Sequence, residues 1–355
     1  MERKIMSLGR SSLVISLPKY WLRMNELKKG DVVSFAVQRD RSLVVFPSGE
    51  QKREPKEITL EVNPDERESL TVRKIVGCYL NGYSSIKIVS KSVFSVSQSK
   101  AIRNIVRMLF MRIMESDAKS MYIQTLIDES RASLDLAIHR MHLISHSMCR
   151  DAMNSLKSQD VTLAKAIYSL DDDVDHFCFF LTRLLRDAAR DSVLANKLSL
   201  EPLDCLDHQT LVYRVEYAAD QAANIAGHVV MLGGSKQRIP ETLILRAFEA
   251  GGKAVDLYDK AVSAFFSRDV MIADEILEKQ RDIEVLDRKM ASEAFLSKEM
   301  NPLLICAICS LRDSIKRIAA CAADIAEIAI NRAYKIVANP SWVEDSSRST
   351  SALKA

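Results

Sequence analysis

An internal repeat in the last two-thirds of this chain of 355 residues restricts its fold most. Segments beginning at Asp160 and Asp269 align at an offset of 109 residues, and segments beginning at Arg214 and Ser314 align at an offset of 100. A period near 100 residues is too long for a common solenoid and favours two tandem three-helix bundles. Apolar periodicity places the helices at about 130–156, 160–192, 207–233, 240–266, 269–297 and 303–337.

The first 50 residues have a different pattern. In "SSLVISLP", Leu13, Ile15 and Leu17 alternate with other side chains, which predicts a strand that Pro18 ends. "KYWLRMNEL" suits a short helix, and "KKGD" is a turn in which Gly30 can adopt positive φ. "VVSFAV" and "SLVVFP" predict a hairpin.

Charge is unevenly distributed along the chain. Residues 1–56 contain twelve basic and six acidic residues, a net charge of +6, whereas the remainder carries −3. A basic segment on a mildly acidic body indicates a polyanionic partner, although a solvated surface has the same composition.

The N-terminal pattern resembles the AbrB/SpoVT/MazE family of swapped-hairpin DNA-binding domains. The resemblance implies an interleaved homodimer that binds DNA; "SSLVIS" and "YW" depart from the family pattern, so the exact groove contacts stay open. Arginine pairs well with guanine, so Arg3 and Arg10 are expected in a groove, and Lys4, Lys19 and Arg23 on the DNA backbone. A dimerisation module without DNA binding is the alternative. The matching residues are Gly9, Arg10, Pro18, Lys19, Leu27, Gly30 and Asp31.

Residues 56–127 predict a small α/β unit. "KEITLEV", "SIKIVS" and "KSMYIQTLI" read as strands, whereas "ERESLTVRKIVGCYLNG" and "QSKAIRNIVRMLFMRIM" read as helices. The unit contains no catalytic cluster and is expected to act as a spacer or brace.

The helical repeats resemble the PhoU family of phosphate-uptake regulators through "DVTLAKAIYSLDDDVD" and "VEYAADQAANIA". An AbrB-like head joined to PhoU repeats resembles archaeal phosphate-uptake regulators. The resemblance also implies metal binding by acidic motifs, which the first copy retains as Asp171 with Asp175 and Glu216 with Asp220. Four carboxylates from two facing helices suit iron, manganese, magnesium or calcium, although a solvated acidic face is the alternative.

The second copy has lost most of these carboxylates. Its aligned residues are Gln280, Glu284, Lys316 and Ala320, and Lys316 places a positive charge where the metal belongs. We therefore expect metal only in the first copy.

Histidine and cysteine patterns are less specific. His139, His142 and His146 lie on one helical face with Asp135, which is more typical of an exposed or packed stripe than of a transition-metal site. Cys306 and Cys309 form a CxxC inside an apolar run without a second thiol pair, so they are expected to be reduced core thiols.

The sequence thus predicts a cytoplasmic transcriptional regulator of phosphate uptake that is not an enzyme. It has no recognisable nucleophile motif, phosphate loop or apolar run long enough for membrane insertion. The alternative is a PhoU-type adaptor that binds no DNA and acts on a phosphate transporter ATPase or a signalling kinase. The expected domains are a DNA-binding and dimerisation domain at 1–50, the α/β segment at 56–127, helical bundles at 128–235 and 239–338, and a disordered tail at 339–355.

Overall fold

The computed structural model describes residues 2–9, 12–37, 42–47, 56–126, 133–234, 239–296 and 302–335. The chain divides into two compact units, one of residues 1–54 with 336–355 and the other of residues 55–335. The predicted tail at 339–355 lies outside the described residues.

The first unit, called the head below, consists of two short hairpins and one short helix. Strand β1 (Met6–Leu8) pairs with β2 (Ser12–Val14), helix α1 spans Lys19–Met24, and β3 (Val33–Val37) pairs with β4 (Leu43–Pro47). The predicted strand at 12–17 is shorter than expected, and its partner β1 was not predicted. Gly30 has a φ of +101°, as the turn requires.

The second unit begins with an α/β module at 57–125. Its elements are β5 (Glu57–Val62), α2 (Glu68–Leu80), β6 (Ser85–Ser90), α3 (Val96–Met108), β7 (Met111–Ser116) and β8 (Ser120–Thr125). The sheet order is β5-β6-β8-β7, in which only β5 and β6 pair in parallel.

The long helix predicted from "QSKAIRNIVRMLFMRIM" is wrong at its C-terminal end. Helix α3 stops at Met108, and Phe110 turns the chain with a φ of +51° into β7. Met111 is then buried and Ile113 half-buried, whereas Arg112 is exposed. This alternation suits the edge of a sheet whose other face is solvated.

Long helices form the rest of the unit. These are α4 (Leu134–Ser158), α5 (Val161–Arg190), the short α6 (Ser192–Lys197), α7 (Pro202–Gly233), α8 (Glu241–Ser267), α9 (Val270–Leu296) and α10 (Pro302–Ala333). The six long helices confirm the predicted mostly α fold, whereas α6 was not predicted. Buried side chains of both copies belong to one continuous hydrophobic core, so the two bundles pack as one body.

The repeat is visible in the local geometry of its helix starts. Asp160 accepts hydrogen bonds from the amides of Thr162 and Leu163 at 2.8 and 3.0 Å, and so caps α5. Asp269, its aligned residue, accepts equivalent bonds at the start of α9, at 2.9 and 3.1 Å. Each aspartate satisfies amides that have no partner within the helix, which fixes where the helix begins.

Three arginines of α5 attach the α/β module to the first bundle. Arg183 donates to the carbonyls of Tyr79 and Tyr83 at 2.9 and 2.8 Å, Arg186 donates to Leu80 at 2.9 Å, and Arg190 donates to Asn81 at 3.0 Å. These carbonyls lie at or just beyond the C-terminal end of α2, where a helix leaves acceptors unsatisfied and carries partial negative charge. The arginines therefore stabilise that helix end and hold the module against α5.

The prediction that Cys306 and Cys309 are core thiols is wrong, since both are exposed. Leu304, Ala307, Ile308 and Leu311 face the core of α10. With 3.6 residues per turn, positions 306 and 309 then fall on the opposite side of the helix. An apolar run was mistaken for a fully buried helix.

Among the described residues, no helix has the length and hydropathy that crossing a membrane requires.

We predict that Gly82→Ala destabilises the second unit. Gly82 follows α2 with a φ of +85°, and an added Cβ would lie 2.7 Å from the buried Asp187 Oδ1. Left-handed strain and the displaced carboxylate should together cost about 1–3 kcal/mol of unfolding free energy. Gly77→Ala is the matched control, because Gly77 lies inside α2 with open space at its Cβ position. Chemical denaturation of both variants tests this, and equal midpoints would contradict it.

Candidate functional site

The four predicted metal-ligating carboxylates lie on two packed helices of the first copy. Asp171 and Asp175 are one turn apart on α5, and Glu216 and Asp220 are one turn apart on α7. All four side chains are half-buried. We call these four residues the acidic cluster.

Burial and mutual repulsion raise the pKa values of the acidic cluster. Burial and the negative charges of Asp220, Asp175 and Asp171 together raise the pKa of Glu216 to about 7. Burial and the neighbouring carboxylates also raise the pKa of Asp175 to about 6. The pKa of Asp171 is raised by burial and Asp220, and that of Asp220 by burial. Charges that repel in a half-buried site make the charged form costly.

The carboxylates are close enough to interact but do not form a finished metal cage. In the described ranges, no three histidine, cysteine, aspartate or glutamate side chains are placed to hold a metal ion. The oxygen-only donor set still has the chemistry that hard cations prefer. Nothing in this geometry favours a soft cation, since the pKa of the nearby Cys178 thiol is raised to about 12 by burial and by Glu216.

The second copy replaces the acidic cluster with internal ion pairs. Arg312 donates to both oxygens of the buried Asp287 at 2.8 and 3.0 Å, and Lys316 Nζ lies 3.6 Å from the same carboxylate. Glu284 points to solvent instead. Bidentate pairing neutralises Asp287 without any added cation. The second copy therefore has no need of a metal at this position.

The predicted histidine stripe packs against α8. His139 stacks on Phe266 with ring centroids 4.3 Å apart, and the buried His142 contacts the edge of Tyr258 at 5.2 Å. Burial lowers the pKa of His142 to about 4, although Asp259, 3.5 Å away, opposes this shift. Asp135 does not join the stripe and instead lies 4.0 Å from His208. The stripe is a packing surface between the two copies.

Sequence reasoning missed a buried charged network where α7 begins and α10 ends. Lys335 Nζ lies 2.6 Å from Glu201 and 2.8 Å from Asp204, and Arg332 lies over the ring of Phe265 at 4.1 Å. Polar residues on otherwise apolar helix faces were the available signal. The pairing across 131 positions was not visible in the sequence.

In the head, the described DNA-binding candidates are all exposed. Arg3 and Lys4 precede β1, and Lys19 and Arg23 lie one turn apart on α1. Arg10 lies outside the described residues.

The head also leaves its apolar side chains uncovered. None of its described residues is buried. Leu13 is 74% exposed, Met24 is 77% exposed and Val32 is 71% exposed. A unit of about 50 residues rarely stabilises itself without a partner.

Comparison with known families supports both parts of this organisation. The PhoU domain model matches residues 138–229 and 248–329, one match in each copy of the repeat. The model for the MazE antidote-toxin recognition family of bacterial antitoxins matches residues 7–53. A comparison with curated protein sequences gave no match.

Two solved structures share the helical architecture. The phosphate transport system regulatory protein PhoU from Streptococcus pneumoniae is 16% identical, with a TM-score of 0.50 over 57% of this chain and 95% of that one. PhoU from Pseudomonas aeruginosa is 19% identical, with a TM-score of 0.49 over 56% of this chain and 93% of that one. At this identity the likeness to the streptococcal protein shows the fold.

We predict that Glu216→Gln stabilises cation-free protein near neutral pH. A carboxyl whose pKa is raised on folding binds protons better in the folded state, so its stability contribution falls as pH rises from about 4.5 to 7. The variant should therefore melt roughly 2 °C higher than wild type at about pH 7.5, and the two should converge at about pH 5.

The difference between the two melting curves is the relevant measurement, because acid also destabilises the protein through His142, whose pKa is lowered to about 4. Glu284→Gln is the matched control in the second copy, where the side chain is exposed. A Glu216→Gln benefit that does not depend on pH would contradict the repulsion argument.

Proposed function

We propose that this chain, which carries tandem PhoU domains behind an N-terminal domain of the MazE antitoxin type, is a DNA-binding transcriptional regulator of phosphate uptake. The PhoU domains indicate regulation of phosphate transport. The observation that carries the proposal is a basic head with uncovered apolar side chains, joined to an acidic helical body that has an unneutralised carboxylate cluster. The protein acts in the cytoplasm, as a regulator and not an enzyme.

DNA binding is supported by the charge and the dimer that the head requires. Exposed apolar side chains such as Leu13 and Phe35 need a partner surface, and a second copy offers the same surface with matching strands. A homodimer joined through the head carries about +12 over residues 1–56, which suits phosphates spaced along a duplex. Lys19 and Arg23, one turn apart on α1, present one such contact surface.

We assign the sensing of phosphate status to the acidic cluster. Its residues suit a hard divalent cation such as iron, manganese or magnesium, because two packed helices carry four half-buried carboxylates that repel one another. Such a cation supplies the positive charge that the cluster lacks. Asp171 and Asp175 would hold it from α5, and Glu216 and Asp220 from α7. With their repulsion reduced by a bound cation, these carboxylates would oppose the packing of α5 on α7 less.

Helix α5 connects the acidic cluster to the α/β module. Asp175 and Arg183 are eight positions apart on this one helix, about 12 Å along its axis. Arg183 is buried and holds the end of α2, so a shift of α5 moves the α/β module with it. In the sequence the module follows the head and precedes the helices that carry the acidic cluster.

A second candidate is an adaptor that binds no DNA and acts on a phosphate transporter ATPase or a signalling kinase. The name of the streptococcal protein, a regulator of a phosphate transport system, favours it. Exposed Leu203 and Leu206 at the start of α7 offer an apolar contact surface for such a protein. The two candidates differ in what the head binds.

We predict that Arg10→Ala weakens binding to operator DNA about 5- to 150-fold, the equivalent of roughly 1–3 kcal/mol, if Arg10 reads a base. Operators would first be identified by genome-wide mapping at high and low phosphate, and affinity measured by gel shift at several salt concentrations. Random duplexes distinguish base reading from phosphate contact, because loss of a phosphate contact weakens binding to all sequences equally.

The exposed Lys289→Ala of α9 is the control for loss of one positive charge outside the head. Light scattering must show the same mass for Arg10→Ala and wild type. Wild-type protein that binds no duplex at low salt would reject DNA binding and favour the adaptor.

We predict that purified protein binds manganese or iron through the first copy only. Asp175→Asn with Glu216→Gln should abolish the metal found by elemental analysis and the rise in melting temperature that metal gives wild type. Glu284→Gln with Gln280→Ala is the matched second-copy control and should retain both. Metal that survives in the first-copy double variant would exclude the acidic cluster as its site.

A further inference from the structure

The seven cysteines of the chain fall into two classes. Cys78, Cys149, Cys205 and Cys321 are buried and Cys178 is half-buried, whereas Cys306 and Cys309 are exposed. Burial raises the pKa of the Cys321 thiol to about 12 and raises that of Cys149 further still. Thiols of this kind carry little thiolate and are inert. Chemistry that needs an accessible thiol is therefore confined to Cys306 and Cys309.

These two thiols lie on the same side of α10, less than one turn apart. Residues three positions apart in an α-helix have Cα atoms about 5 Å from each other, from the rise and radius of the helix. A disulfide needs Cα atoms about 4.4–6.8 Å apart. The pair can therefore close with only local adjustment of the helix.

The arrangement does not suit a structural metal site. Zinc held by thiolates needs four ligands, and the described residues place no third histidine, cysteine, aspartate or glutamate with the pair. Leu303 and Ile305 are instead the exposed neighbours, each 43% accessible. Two accessible thiols in an apolar surface have the chemistry of a dithiol and not of a metal cage.

We propose that Cys306 and Cys309 are a redox modification site that forms an intrahelical disulfide by exchange with a low-molecular-weight disulfide. One cysteine thiolate attacks a sulfur of the disulfide, which forms a mixed disulfide and releases one small thiol. The second cysteine thiolate attacks the protein sulfur of that mixed disulfide and releases the other small thiol. Two protein thiols are oxidised, one disulfide is reduced, and the two thiol protons end on the released thiols.

The two cysteines lie on α10 close to Arg312, which forms the buried ion pair with Asp287 in the second copy. Arg312, which holds Asp287, follows Cys309 by three positions on α10. A bond between Cys306 and Cys309 restrains the helical turns immediately before that arginine. The modification therefore acts on the copy that has no acidic cluster, and it does not depend on the function proposed above.

Full-length protein equilibrated in glutathione buffers of increasing oxidising strength tests the proposal. Each sample is alkylated without denaturation and digested for mass spectrometry. Reduced protein should be alkylated at two thiols, and oxidised protein at none, with the peptide of 306 and 309 lighter by two hydrogens. Dithiothreitol should restore both thiols. Cys306→Ser and Cys309→Ser should each stop at a stable mixed disulfide with glutathione.

The double variant Cys306→Ser with Cys309→Ser should show no native alkylation at any potential. Three results would overturn the proposal. The first is a wild-type product that carries glutathione on both cysteines, and the second is a disulfide-linked dimer on a non-reducing gel. The third is zinc that co-purifies with reduced wild type and is lost from the double variant. These substitutions lie on an exposed helix face, so the variants should fold as wild type does.

Discussion

Helix α5 contacts both α7 and the α/β module, and much of the arrangement depends on which charged side chains it presents to each of them. Its middle carries carboxylates that face α7, whereas its C-terminal part carries arginines that face the end of α2. The arginine contacts are satisfied, because cationic donors meet carbonyls at the negative end of a helix. The carboxylate contacts are not, because like charges meet in a half-buried site. One helix thus combines a fixed attachment with a site of unfavourable charge.

The two copies of the repeat differ in whether basic side chains neutralise the carboxylates between their helices. In the second copy the buried Asp287 is neutralised by Arg312 and Lys316 of the neighbouring helix. The aligned first-copy residues are Cys178, Val212 and Glu216, so the neutralising cations are absent and a carboxylate occupies one of their positions. A buried ion pair stabilises mainly by avoiding an unpaired charge, so the second copy needs no added cation at this position. In the first copy, the repulsion among the carboxylates is relieved only by added protons or an added cation.

The basic side chains of α5 also explain why the α/β module is attached to the first copy and not to the second. Arg183 and Arg186 align with Ser292 and Phe295, which cannot donate equivalent hydrogen bonds from charged groups. Only the buried Arg183 contacts contribute substantially, about 1.5–3 kcal/mol for each charged hydrogen bond, because Arg186 and Arg190 are exposed and screened. Among these polar contacts, the attachment therefore depends chiefly on Arg183, and Phe179 of α5 adds apolar packing against the core of the module.

The sequence predicted the parts of the fold that depend on periodicity and on the internal repeat. Asp160 and Asp269 start equivalent helices because a short carboxylate side chain can accept from free amides, and this is readable without tertiary structure. The end of α3 was missed because Met111 and Ile113 continue an apolar run that suits either a helix or an edge strand. Only pairing with β8 decides between them. The exposure of Cys306 was missed for a related reason, since mean hydropathy does not identify which face of α10 meets the core.

The acidic cluster was predictable as a set of residues but not as an electrostatic state. Spacing placed Asp171 with Asp175 and Glu216 with Asp220, because residues four apart share a helix face. How strongly the pairs affect one another depends on how α5 packs on α7 and on the water removed by that packing. The pKa of Glu216 on α7 is raised to about 7 and that of Asp175 on α5 to about 6, so both helices share the cost of charging this site. The cation proposed for this site would therefore compete with protons for Glu216, and we expect its affinity to decline as pH falls below about 7.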